Sequence, residues 1–209
     1  MKALVIGGTR GVGREVVAAA HKSGHALTVL ARNAVGFAAP VTGVRMVLGD
    51  AADAADLDRA VAGQDAVVWT VGVKPSRRPV QLFSRGTQFL LAAMSRHGVR
   101  RLLCVTGVGA GDSKGQGGFL YDRIVQPLLF KTTYEDKDRQ EAQIRASAVD
   151  WTIVRPAALT DAPPTGLYQT LTTSDGTRAR RIARGDVAAF IVENLAAPEY
   201  VHQTVLLCG

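Results

Sequence analysis

Ala3-Leu4-Val5-Ile6-Gly7-Gly8-Thr9-Arg10-Gly11-Val12-Gly13-Arg14-Glu15-Val16-Val17 begins as an apolar run, turns on glycines and continues as an amphipathic run. Four successive apolar residues suit a strand buried on both faces, and the residues after Gly11 carry helical spacing. Gly7 permits a tight turn, Gly11 lets backbone amides approach an anion, and Gly13 lets the helix lie close to the sheet. A helix that starts this soon after a strand points its free N–H groups at that anion. A dinucleotide pyrophosphate is the natural ligand, with Thr9 and Val12 in the same loop.

Outward from this turn, short β-branched runs alternate with longer helical ones. Ala3–Ile6, Leu27–Leu30, Arg45–Leu48, Ala66–Trp69, Leu102–Val105, Thr152–Val154 and Thr204–Leu207 read as strands. Gly11–Lys22, Asp56–Val61, Val80–His97, Glu135–Ser147 and Asp186–Leu195 have helical spacing. Several strands are apolar on both faces, which predicts an α/β fold: a doubly wound parallel sheet between two helical layers, with right-handed crossovers. No repeat or linker divides the chain, so residues 1–209 are expected to form one dinucleotide-binding domain. Two stretches break the rhythm. Six glycines fall between Gly107 and Gly118, followed by Phe119–Leu129 as a helix or lid, and Leu167–Leu171 with Arg178–Ile182 flank Ser174-Asp175-Gly176 as a small C-terminal hairpin.

Composition limits the alternatives. With 47% hydrophobic and 21% charged residues in 209, the chain is ordinary globular material. No apolar run approaches the length of a membrane helix, and Met1-Lys2 passes straight into Ala3–Ile6 rather than into a cleavable signal, so a cytoplasmic protein without membrane attachment is expected. Cys104 and Cys208 lie in strand-like runs outside any CxxC pair and read as buried thiols. The net charge of +7 comes from scattered basic pairs such as Arg77-Arg78 and Arg180-Arg181, a pattern that fits a polyanionic small cofactor better than nucleic acid. A small-molecule substrate and a monomer or homodimer are expected.

The loop's GxxxGxG spacing, Gly7-Gly-Thr-Arg-Gly11-Val-Gly13, resembles the short-chain dehydrogenase/reductase superfamily. Gly49-Asp50, Ala62–Val68, His97–Arg101, Lys137–Glu141 and Asp150–Pro156 extend the resemblance over nearly the whole chain. Together they are similar to the atypical, NAD(P)H-binding branch that includes biliverdin IXβ/flavin reductase and the NmrA-like proteins. The resemblance implies a Rossmann fold and places Asp50 at the adenine amino group. It also sets Val71 and Gly72, Thr106, and Pro156 with Ala157 around the nicotinamide.

Charge at the end of the second strand bears on cofactor choice. An NAD site needs a carboxylate there for the ribose hydroxyls, whereas this chain reads Val29-Leu30-Ala31-Arg32-Asn33. A guanidinium grips a 2′-phosphate in bidentate fashion, and Arg10 in the loop can grip it from the other side, so NADP(H) is expected.

For catalysis, many superfamily members use a serine and a YxxxK pair. Here Tyr134-Glu-Asp-Lys137 has only two intervening residues, a spacing that still shares one helix face. Lys137 aligns with the lysine that contacts the nicotinamide ribose in atypical members, Tyr134 is a candidate proton donor, and Thr106 is a candidate for the serine's role. The serine and histidine of the biliverdin IXβ reductase pattern are matched by Gly107 and Ala158, which argues against biliverdin. Ser113 satisfies GxSxG but lies too far past its strand for a nucleophile elbow. His21 and His25 lack a third ligand, which argues against a metal site. Phe119, Tyr121 and Tyr168 are candidates for an aromatic pocket. The expected activity is hydride transfer from NADPH to a planar electron-poor substrate: a flavin, quinone or conjugated carbonyl. Two alternatives are an NmrA-like NADP(H) redox sensor without turnover and a sugar epimerase or dehydratase.

Overall fold

The computed structural model describes residues 1–33, 43–74, 78–110, 130–172 and 180–209. The elements run β1 Lys2–Ile6, α1 Gly11–Lys22, β2 Ala26–Ala31, β3 Arg45–Leu48, α2 Ala54–Val61, β4 Ala66–Trp69, α3 Leu82–His97 and β5 Arg101–Val105. They continue as α4 Lys131–Arg145, β6 Asp150–Pro156, β7 Leu159–Thr160, β8 Gln169–Leu171, β9 Ile182–Ala183, α5 Arg184–Glu193 and β10 Gln203–Cys208.

The main sheet has the order β3-β2-β1-β4-β5-β6-β10-β8. Its first seven strands are parallel and β8 joins the edge antiparallel to β10. Alternation along each strand divides the core. Ala3 and Val5 face one layer with Val16, Val17, Val187 and Phe190 of α1 and α5. Leu4 and Ile6 face the other with Leu57, Leu90, Met94 and Ile144 of α2, α3 and α4. Runs apolar at every position are therefore what a sheet covered on both sides requires.

Strand order reverses between β1 and β4, and the crevice at their C-terminal ends is where sheets of this kind bind ligands. The expected hairpin is resolved differently in the described residues. Gln169–Leu171 pairs with β10, whereas Ile182 pairs with Leu159 in a separate two-stranded parallel sheet; each arm finds a longer-range partner. The Ser174-Asp175-Gly176 turn lies outside the described residues, as do Phe119–Leu129 and most of the glycine-rich stretch before it.

Candidate functional site

Two regions meet at the C-terminal ends of the strands. The first is the turn between β1 and α1. Gly7 has φ +90 and sits against the Thr70 carbonyl and the Val71 nitrogen, 3.0 Å from where a Cβ would be. The Thr70 N–H and hydroxyl both donate to the Ile6 carbonyl at 2.9 Å, which fastens the ends of β1 and β4 together. Gly13 is buried so tightly that a Cβ would strike the Gly7 carbonyl oxygen and come within 2.5 Å of the Thr70 hydroxyl. The first turn of α1 contains no acidic residue, and its N-cap, Arg10, makes no side-chain cap. The amides of this turn are thus left to an outside acceptor, and the loop is a cradle that any side chain at Gly7 or Gly13 would fill.

Around the cradle, Thr9 is half-buried and Val12 is buried beneath the helix start. Arg10 and Arg32 are both exposed and follow adjacent paired strands, with the Gly7 N–H donating to the Leu30 carbonyl between them. Asp50 is exposed; one carboxylate oxygen accepts the Ala52 N–H at 2.9 Å, while α2 is capped by Asp53 instead. Val71 and exposed Gly72 follow β4. Pro156 accepts the Val108 N–H at 3.2 Å, and the Ala157 N–H donates to Leu207 at 2.9 Å, which sets the β6 end beside the residues after β5.

The second region is built from side chains. β5 directs Cys104 and Thr106 toward α4, where Tyr134, Lys137 and Glu141 share one helix face. The helix begins at Lys131, earlier than the sequence suggests, so Tyr134 is helical and its spacing to Lys137 does put both on that face. The Lys137 ammonium donates to the Thr106 carbonyl, and the Tyr134 hydroxyl donates to the Val108 carbonyl at 2.9 Å. Both look onto Gly107. A Cβ there would lie 3.6 Å from the Tyr134 oxygen and 3.9 Å from Lys137 Nζ, although φ +144 is poorly suited to a side chain. Gly107 itself brings no hydroxyl to this point.

Behind them lies a buried ionic network that the sequence reading did not include. The Thr106 hydroxyl donates to Glu141 at 2.7 Å, Arg155 binds the same carboxylate through Nε at 3.1 Å and Nη2 at 2.6 Å, and Arg145 adds a contact at 3.0 Å. Glu141 is fully buried and Arg155 is 3% exposed, so neither charge is tolerable alone. A lone arginine within the apolar Trp151-Thr-Ile-Val-Arg155 run was the available signal. Asp136 on α4 caps the start of α3, accepting from the Phe83 N–H at 2.8 Å and the Ser84 hydroxyl at 2.5 Å. Half-buried Lys137 has its pKa lowered to about 8 by desolvation, which outweighs the opposing pull of Cys104 and Glu141. Burial raises the Cys104 thiol.

Other candidates fall away from these regions. Tyr168 packs edge-on against Phe190, with its hydroxyl 3.2 Å from Glu193, and burial raises its pKa to about 12. Ser113, Phe119 and Tyr121 lie outside the described residues. A cavity of about 550 Å³ lined by Arg145, Trp151 and His202 opens at the N-terminal ends of β6 and β10, the end of the sheet away from both regions. No helix among the described residues is long and apolar enough to cross a membrane.

Comparison with known proteins agrees with the fold. A family model described as NAD(P)H-binding matches residues 7–198. The UPF0659 protein YMR090W of Saccharomyces cerevisiae is 28% identical over 213 residues, covering 95% of this chain and 88% of that protein. Among solved structures, ChuY, an anaerobillin reductase from Escherichia coli O157:H7, is 23% identical with a TM-score of 0.82, covering 100% of this chain and 97% of its own. A short-chain dehydrogenase/reductase from Veillonella parvula in complex with NADP is 15% identical with a TM-score of 0.83, covering 100% and 94%. The NAD(P)H-binding family and the Rossmann-like fold expected from the sequence are borne out.

Proposed function

Because the chain belongs to the NAD(P)H-binding family, we propose that it is an NADPH-dependent reductase of a planar electron-poor acceptor such as a flavin, quinone or conjugated carbonyl. The observation that carries this reading is the uncapped glycine cradle with Arg10 and Arg32 exposed at the adjoining strand ends. The amides of Gly11, Val12 and Gly13 and the Thr9 hydroxyl would hold the pyrophosphate, Arg10 and Arg32 the 2′-phosphate, and Asp50 the adenine edge. Val71, Gly72, Pro156 and Ala157 would line the nicotinamide end. When bound, the reduced nicotinamide supplies the hydride.

Lys137 would position the adjoining ribose, braced by its bond to the Thr106 carbonyl. Thr106, its hydroxyl committed to Glu141, would act as a positioning residue rather than a proton donor. Tyr134 would hold a proton at its hydroxyl beside Gly107, released from Val108 when an acceptor arrives. Gly107, buried beside both groups, stands where the biliverdin IXβ reductase pattern has a serine.

The test is NADPH incubated with a panel of flavin, quinone and biliverdin acceptors, followed at the reduced-nicotinamide absorbance. Acceptor-dependent oxidation is expected, and Lys137→Ala should lower both turnover and NADPH affinity, since small placement errors cost up to about a hundredfold. The commitment of both hydroxyls to protein acceptors favours one second reading, an NmrA-like sensor. Tight NADP binding with no turnover on any acceptor would select it.

A further inference from the structure

One basic side chain outside the loops described above overlooks the anion cradle. Around a Cβ built at Gly11, one non-neighbouring atom among the described residues comes within 4 Å: Arg184 Nε, at 3.9 Å. Among the described residues the space is otherwise open. Arg184 reaches this point because β9 leads directly into α5, which lies along α1 on the same face of the sheet.

Its guanidinium is ion-paired with Asp161 at 2.6 Å, and the two side chains differ sharply in environment: that of Arg184 is 27% exposed, that of Asp161 91%. Asp161 follows β7, and β7 pairs with β9, so the ion pair closes the small two-stranded sheet beside the glycine loop. A carboxylate standing almost wholly in water is a weak competitor for a cation, because water screens the attraction and the pair contributes little. A phosphate against the loop amides would offer the same guanidinium a bidentate acceptor that is already partly desolvated.

Resting on the dinucleotide reading above, we propose that Arg184 contacts the pyrophosphate of the bound dinucleotide, with Asp161 as its counter-ion in the free protein. Binding exchanges one ion pair for another: Arg184 leaves Asp161 for phosphate oxygen, and Asp161 returns to water. The division of labour is specific. Arg10 and Arg32 serve the 2′-phosphate, which only NADP carries, whereas Arg184 serves the pyrophosphate that NADP and NAD share.

Calorimetric titration of the unmodified protein, Arg184→Gln, Asp161→Asn and the double variant with NADP⁺, NAD⁺ and adenosine 2′-monophosphate tests this. Arg184→Gln should weaken NADP⁺ and NAD⁺ alike by about tenfold and leave adenosine 2′-monophosphate unchanged. Asp161→Asn should tighten both dinucleotides roughly two- to fivefold, and should do nothing once Arg184 is replaced. Should Arg184→Gln fold poorly, Asp161→Asn decides alone, tighter binding supporting the proposal. Unchanged affinity in Arg184→Gln, or unchanged or weaker binding in Asp161→Asn, overturns it. If the unmodified protein binds neither dinucleotide, the functional reading falls and takes this proposal with it. Normal binding that ignores Arg184 removes this proposal alone.

Discussion

The two regions at the strand ends are made of different material. The β1–α1 turn is a backbone site: its shape comes from Gly7 and Gly13, and its donors are peptide N–H groups. The β5–α4 region is a side-chain site whose members converge from Thr106, Lys137, Glu141 and Arg155. A backbone site is written in consecutive residues because the turn itself sets its shape. A side-chain site depends on which helix packs against which strand.

This contrast predicts how each region breaks. The largest effect is expected at Glu141→Ala, which takes from buried Arg155 the carboxylate it binds through Nε and Nη2 and should cost about 3–5 kcal/mol in urea unfolding. If the loss is under about 1 kcal/mol, the network does not hold β5, β6 and α4 together as described. Gly13→Val should follow at about 1–3 kcal/mol through overpacking against the Gly7 carbonyl, together with loss of NADPH binding. Retained binding in that variant would mean that the turn can re-form around a side chain. Tyr134→Phe removes one hydrogen bond to Val108 and should cost only about 0.5–1.5 kcal/mol. Turnover should fall while NADPH affinity stays unchanged; equal loss of both would place Tyr134 in ground-state binding.

The last expected effect is a slope. Burial lowers the Lys137 pKa from 10.5 to about 8, so between those values the unfolded chain keeps a proton that the folded chain has released. Stability from this group therefore rises with pH across that window. Lys137→Met should remove the rise, so its unfolding free energy should gain less than that of the unmodified protein between about pH 8 and 10.5. Cys104 slopes the opposite way but is common to both proteins. Parallel pH profiles would show that Lys137 is not desolvated in the folded state.

Legibility followed the same division. The bounds of α1, β3 and β4 could be read directly, since glycine and apolar punctuation is local there. That Arg10 and Arg32 follow neighbouring strands was also accessible, because paired strands end together. Glu141 and Arg155 went unread because their meaning arises from a contact across 14 residues between helix and strand, and nothing in either local pattern names the partner. Arg184 was hidden for the same reason: it reaches Gly11 only through the packing of the last helix on the first. The hairpin expectation went astray where two short arms each found a longer-range strand to pair with.

The most direct test of the cofactor assignment is the pair of dissociation constants for NADPH and NADH, measured for the unmodified protein and for Arg10→Ala with Arg32→Asp. Charge-assisted contacts to the 2′-phosphate should favour NADPH by roughly ten- to a hundredfold. The double variant should lose or reverse that preference with little change in NADH affinity. Equal affinities for the two cofactors in the unmodified protein would contradict the assignment of the arginine pair to the 2′-phosphate.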